Sequence, residues 1–390
     1  MNNTQHAIMM AIRATINRQP FTAAIDDPRR FYMLAREGGV SGMMFEALSE
    51  ATCERDILTR FKRDALLYQM HHEKQMVLIK NVSAAFNAHK IDHIYLKGVS
   101  LKAIYPEPYM RSMGDVDVLV KPETHERAID ALVEKGFSVT GRSRAHTNLK
   151  SPEGLLLEVH PELYSSIHTK HEPLFKNTWS HAIPTDTHRY VFNAEFELAY
   201  LVYHAIKHFY GTGVGLRSVL DIALYTVKKR DAFNDDALFS LMDQSALTQV
   251  FDNLLELGRR YFDLDAFPAR ADKHTVDAAL FQRMTDYLFD SGVHGKAEGH
   301  NPFIGRVGAA RLRDESRLRF ILRTLFMPYE DMRATRPWLK TRLLLPVAWL
   351  MRFVSLLFKR TRRTLRKTRQ LLFKKEKADE LETMLRDFGL

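Results

Sequence analysis

The chain has 390 residues, of which 45% are hydrophobic, with one cysteine and a formal net charge of +10. That length accommodates two or three domains and a large core, and the lone Cys53 excludes an internal disulfide framework or a multi-cysteine zinc site. The charge is uneven: residues 359–377 hold ten Lys or Arg and one Glu, a net of +9, which leaves about +1 for the other 371 residues. A charge-driven partner signal therefore belongs to the tail, and the near-neutral remainder argues against a large nucleic-acid footprint.

Met1 to Ile16 lacks the basic-then-apolar order of a signal peptide, which, with the single cysteine, points to a reducing cytoplasm. Residues 1–80 read as a helical region. Phe31-Tyr32-Met33-Leu34-Ala35 and Met43-Met44-Phe45-Glu46-Ala47-Leu48 carry apolar side chains at helical spacing around the turn signal Gly38-Gly39. A further helix is predicted from about Arg60 to His89. Residues 81–190 then read as a small α/β unit: a strand over Ile91–Leu96, a short helix near Ser100–Tyr105, and a strand through Asp115-Val116-Asp117-Val118-Leu119-Val120. A helix opened by Pro122 and closed by Gly136 comes next. Strands follow at Phe137–Thr140, Ala145–Lys150 and Leu155–Val159, the last two joined as a hairpin by Ser151-Pro152-Glu153-Gly154. Residues 191–335 return to helix, most clearly at Ala194–Tyr210 and Leu216–Lys229. Residues 336–390 form an apolar and basic tail.

Three acids stand out, because carboxylates in apolar strands need something to offset their burial. Asp115 and Asp117 alternate onto one strand face, and Glu158 lies in a second apolar run, Leu155-Leu156-Leu157-Glu158-Val159-His160. Together they could make a hard-oxygen cage for Mg²⁺, the equipment of metal-dependent phosphoryl or nucleotidyl transfer. The alternative is a turn-capping Asp115 and an Asp117 paired with an arginine. His160 shares the Glu158 face and could bond the ligand from behind. Lys97-Gly98-Val99-Ser100 puts a glycine, a hydroxyl and a cation after a strand, suited to a phosphate, though a plain strand-to-helix turn reads the same way. Arg111 either clamps a triphosphate or pairs with Asp117 or Glu107. His204 and His208 share one helix face, with Asp221 as a conceivable third ligand. They lack the Glu of the zinc-protease pattern, which favours a polar packing seam over a metal site.

Lys97-Gly98, Tyr105-Pro106, Arg111, Asp115-Val116-Asp117-Val118-Leu119-Val120, Leu157-Glu158-Val159-His160, His204, His208 and Leu216-Arg217 with Asp221 resemble the bacterial "uncharacterised nucleotidyltransferase" family of the polymerase-β-like superfamily. The N-terminal Phe31 to Val40 segment is similar to that family's helical lead-in, and the resemblance covers roughly residues 30–330. It implies an α+β fold, a small mixed-sheet nucleotidyltransferase core flanked by N- and C-terminal helical regions. It also implies two Mg²⁺ ions, with Mn²⁺ as a substitute, and attack of an acceptor hydroxyl on the α-phosphate of an NTP, ATP being the first choice. Carried over, Asp115, Asp117 and Glu158 hold metal, while Lys97, Gly98, Ser100 and Arg111 meet the nucleotide. His160, His204, His208 and Asp221 remain as supporting or substrate-contacting residues. The chain departs from the superfamily pattern at Val99, which separates Gly98 from Ser100, and in having Glu rather than Asp as third acid.

The acceptor is left open between a small molecule, such as a sugar or biosynthetic intermediate, and a protein. The competing classes are a non-catalytic nucleotide-binding scaffold, a toxin-like protein or tRNA nucleotidylating enzyme, and a histidine-centred metallohydrolase. In the tail, residues 343–358 form an apolar run too short to span a bilayer and broken by Arg352. With the basic run behind it, residues 343–377 read as a peripheral attachment to the anionic inner face of the membrane. The other readings are a core helix with a solvated arm, and nucleic-acid binding.

Overall fold

The computed structural model describes residues 1–51, 53–143, 145–163, 169–175, 177–209, 213–264, 276–292, 326–329, 332–333, 336, 338–354 and 375–390. Four helices lead in: α1 (Asn3–Ile16), α2 (Pro28–Glu37), α3 (Phe45–Leu48) and the long α4 (Arg55–Ala88). Their starts are locally encoded. Asn2 and Gln5 close a reciprocal capping box on α1, and Asp27 caps α2 with Pro28 at its first position. The Gly38-Gly39 turn is real, with Gly39 at φ 67°, a left-handed conformation that glycine adopts without strain.

The α/β unit follows as β1 (His93–Tyr95), α5 (Gly98–Leu101), β2 (Asp115–Val120), α6 (His125–Glu134), β3 (Ser138–Arg142), β4 (Thr147–Lys150) and β5 (Leu156–His160). Two short strands absent from the sequence reading, β6 (Ala182–Pro184) and β7 (Arg189–Phe192), then complete a seven-stranded sheet in the order β3-β4-β5-β2-β1-β7-β6. The sheet is mixed. β2 is parallel to β5 and β1 to β7, while β1–β2, β3–β4, β4–β5 and β6–β7 are antiparallel. The expected β4–β5 hairpin is present, its turn closed by Gly154 at φ 87°. The helix expected near Ser100–Tyr105 begins earlier, at Gly98, and tightens into a 3-10 turn over Lys102–Ile104.

Helices α7 (Ala194–Phe209), α8 (Leu216–Lys228), α9 (Asp235–Gln244), α10 (Thr248–Phe262) and α11 (Ala278–Ser291) form the later helical part, and a C-terminal helix covers Lys375–Asp387. The predicted continuation of helices toward Phe326 falls largely on residues 293–325, outside the described residues.

The two sheet faces have different neighbours. Val116, Val118 and Val120 of β2 and Leu157 and Val159 of β5 point to the side covered by α4 and α6, where they pack with Leu78, Val82, Phe86, Ala128 and Leu132. Each such side chain contributes about 1.5–3 kcal/mol of apolar burial. The other face turns toward a second core that joins α1–α3 to α7–α11, to which the sheet contributes Ile94, Leu119 and Phe192. The N-terminal and later helices thus share one core, tied further by Arg13, which donates to the carbonyls of Arg260 and Tyr261. Alternation along β2 puts Asp115 and Asp117 on this second face, between sheet and helices.

Candidate active site

Strand register brings the acids together. Asp117 is opposite Glu158 across the parallel β2–β5 pair, and Leu119 is opposite His160. On the far side of β5, Asn148 is opposite Glu158 and Thr147 opposite Val159, which sets His146, one residue before β4, beside His160. Asp115, Asp117, Glu158, His160 and His146 therefore share one face. The imidazole rings of His146 and His160 lie 5.1 Å apart.

Asp117 is saturated with positive partners. Its Oδ2 accepts from Lys97 Nζ at 3.2 Å and its Oδ1 meets His160 Nε2 at 2.8 Å. Burial works against its ionisation, but Lys97 and His160 outweigh this and hold the carboxyl far below the ordinary range. Lys97 is held above its usual value in turn, because Asp117 outweighs the cost of burying the ammonium. Asp115 differs: burial and then the neighbouring charges of Asp117 and Glu158 push its carboxyl up. Glu158 lies 3.5 Å from His160 Nε2 and 3.6 Å from His146 Nδ1 through one oxygen, Oε2. Those imidazoles overcome the burial cost and lower its pKa.

The approach from β1 is strained. Lys97 has φ 41°, a region costly for a residue with a Cβ, and this aims its side chain across to Asp117. A Cβ on Gly98 would sit 2.5 Å from Met113 Sδ, so close packing on the segment entering β2 already requires this glycine. Ser100 donates its hydroxyl to the Lys97 carbonyl at 2.9 Å. Arg111 reaches neither Asp117 nor Glu107. It grips Asp221 of α8 with two bonds, Nε to Oδ1 at 3.1 Å and Nη2 to Oδ2 at 2.7 Å, and Tyr105 donates to the same Oδ1 at 2.7 Å. Glu107 pairs with Arg18 instead. Asp221 is thereby bound to Arg111 and Tyr105 rather than aimed at His204 and His208, whose Nε2 atoms lie 3.1 Å from each other on α7.

The segment before Asp115 is pinned several times over. Arg111 Nη1 and Arg217 Nη1 both donate to the Ser112 carbonyl, at 3.0 and 3.1 Å, Arg217 also reaches the Ser112 hydroxyl at 2.7 Å, and Gln75 donates to the Met113 carbonyl at 2.8 Å. These bonds fix where β2 begins and so where Asp115 stands.

Three residues of the site were missed in the sequence. His146 sits in an unremarkable polar stretch and matters only through register. Tyr200 of α7 is hydrogen-bonded to Lys97, and burial pushes its phenol up to about 12. Lys207, exposed about two turns further along, stands within electrostatic reach of Lys97, Asp117 and Glu158. The helix around Tyr200 and Lys207 gave a clear helical signal, but nothing local says which strand its face meets.

A mixed sheet carrying an Asp-x-Asp strand next to an acid-bearing parallel strand, under a helical cover, is the arrangement of a nucleotidyltransferase core. The chain belongs to the uncharacterised nucleotidyltransferase family, whose model it matches over residues 25–263. No curated protein and no solved structure is matched.

Proposed function

We propose that this protein is a Mg²⁺-dependent nucleotidyltransferase that moves an NMP from an NTP, ATP in the first instance, onto a hydroxyl acceptor with release of pyrophosphate. The observation that carries the reading is the β2–β5 register, which sets Asp117 directly beside Glu158 with Asp115 two residues away on the same face. Asp115, raised by its acidic neighbours, is a carboxylate that a divalent cation would relieve, so the residues fit such an ion. Asp115, Asp117 and Glu158 would hold it. A bound divalent cation neutralises the triphosphate and makes the acceptor hydroxyl easier to deprotonate. Lys97 and the exposed Lys207 supply cations for the phosphates. Gly98 and Ser100 would offer their turn to the same group. Glu158 takes the acceptor proton, and pyrophosphate leaves in line. Arg111 and Asp221 act by positioning Ser112 to Gly114 ahead of the strand. A purely nucleotide-binding scaffold would have no use for three acids kept at this cost.

The test is pyrophosphate release with the common NTPs, Mg²⁺ and a metabolite extract, beside the Asp115→Ala/Asp117→Ala protein. Release by the wild type alone supports the reading. A folded Asp117→Ala protein as active as wild type would overturn it.

For the tail, we propose peripheral attachment to an anionic lipid surface. Residues 345–354 are helical, and Leu343, Val347, Leu350, Met351 and Val354 are exposed at helical spacing. The opposite side of this helix packs outside the main core, where Ala348, Leu345 and Trp349 join Met332 and Leu339 in a small cluster. Most of the basic run, residues 355–374, lies outside the described residues, and the charge argument there rests on sequence. Among the described residues no helix is long and apolar enough to cross a membrane. Co-sedimentation with phosphatidylglycerol vesicles but not with phosphatidylcholine vesicles, weakened by Leu350→Asp, is the expected result. Equal recovery with both vesicle types would exclude it.

A further inference from the structure

We propose that His146, Glu158 and His160 form a binding site for a zinc-class divalent cation, separate from the hard-oxygen ions expected at Asp115 and Asp117. One ligand atom from each of the three lies within 4.8 Å of the other two. The two separations to Glu158 Oε2, 3.5 Å from His160 Nε2 and 3.6 Å from His146 Nδ1, match the spacing of protein ligands around a tetrahedral ion; His160 Nε2 also meets Asp117 Oδ1 at 2.8 Å, a contact that binding of the ion would replace. Ligands about 2.0–2.1 Å from zinc stand about 3.4 Å apart.

An independent observation concerns His146. Its Nδ1 is buried and has no hydrogen-bond partner among the described residues, although it faces the Glu158 carboxylate. A buried imidazole nitrogen with nothing to bond is costly, and a metal ion is one partner that removes that cost. The set is also built on rigid ground: Glu158 and His160 share β5, and His146 is placed by the antiparallel β4–β5 pairing. Both His146 and Glu158 keep about a quarter of their side-chain surface exposed, so a water or a substrate oxygen can reach a fourth position.

Two imidazoles and one carboxylate with an open position is a ligand set suited to zinc, cobalt or ferrous iron and poorly suited to magnesium, which prefers all-oxygen octahedra. Glu158 has a second oxygen, Oε1, which leaves it able to serve the Asp115–Asp117 side at the same time. The site does not require nucleotidyl transfer to exist.

The experiment uses the full-length protein, stripped of metal and titrated with Co²⁺ in excess Mg²⁺. The expected result is one equivalent bound with the intense visible absorption of four-coordinate Co²⁺, displaced stoichiometrically by Zn²⁺. His146→Ala should remove the band and weaken Zn²⁺ binding by at least about 100-fold. His160→Ala should do the same, and if that buried substitution unfolds the protein, His146→Ala decides alone. Asp115→Asn should keep the band while losing Mg²⁺-dependent nucleotide binding, so the two sites fail separately. No band at one equivalent, or an unchanged band in folded His146→Ala, overturns the proposal in favour of adventitious binding at surface histidines.

Discussion

Two carboxylates at the helix–sheet boundary, the buried Asp221 and the half-buried Asp115, 106 residues apart in sequence, are treated in opposite ways. Asp221 is closed: Arg111 binds both its oxygens and Tyr105 adds a third bond. Asp115 is open: its strongest electrostatic neighbours after burial itself are two more acids, Asp117 and Glu158. The first arrangement stabilises the folded chain and the second destabilises it. A fold that keeps Asp115 among other acids next to a satisfied Asp221 separates the part that holds the structure from the part that, in the proposed function, takes a cation.

Asp115→Asn should break the open cluster with the largest effect. Activity should fall at least about a thousandfold, about 4 kcal/mol of barrier, as an oxygen of the proposed metal site is lost. Stability should move the other way. The folded state raises the Asp115 pKa, so it binds protons more tightly than the unfolded chain, and ionisation costs stability as pH rises past the unfolded value near 4. The neutral amide is spared that cost, and the melting temperature at pH 7 should be unchanged or higher. A large drop in melting temperature would mean that Asp115 is structural.

Asp221→Asn is the mirror case. It leaves the Arg111 guanidinium buried without its counter-charge, and such a break costs about 3–5 kcal/mol. Chemical denaturation checks this. Lys102 sharpens the same contrast. Its ammonium is buried and, among the described residues, bonded to the carbonyls of Arg111 and Pro108. Burial, then Arg111 and Arg217, lower its pKa from 10.5 to about 8. Between those values the unfolded chain holds more protons than the folded one, so stability should climb with pH across that window. Denaturation midpoints at pH 8 and pH 10 should show wild type gaining roughly 2–3 kcal/mol relative to Lys102→Met. A flat difference between the two proteins would show that Lys102 is solvated.

The acids were legible because each breaks an apolar strand run, and a charge in such a run carries information about what must lie next to it. Strand alternation then gave their common face without any tertiary knowledge. The partners were not legible. Arg111 was set against nearby acids in the sequence, whereas its partner arrives on α8, 110 residues later. His146 becomes a neighbour of His160 only through the β4–β5 register, and Tyr200 meets Lys97 only because α7 docks on that face. β6 and β7 escaped for another reason. They are three and four residues long, one ends at Pro184, and the apolar run of β7, Tyr190-Val191-Phe192, is too short to stand out until it pairs with β1 and β6. Local pattern carries chemistry that costs energy to place; pairing between distant elements leaves no local trace.

Tyr105→Phe is the smallest and most discriminating change to the closed cluster. It deletes the 2.7 Å bond to Asp221 Oδ1 and leaves both Arg111 bonds in place. One hydrogen bond to a charged acceptor is worth about 1.5 kcal/mol at the low end. The ring stays buried, so no cavity forms. The expected loss is therefore about 1.5 kcal/mol by denaturation, well short of the Asp221→Asn effect, with turnover near wild type because Arg111 and Arg217 still hold Ser112 in front of β2. A loss equal to that of Asp221→Asn would place the weight of the cluster on the phenol and not on the guanidinium. In that case the position of Asp115 would depend on Tyr105, and turnover should fall together with stability.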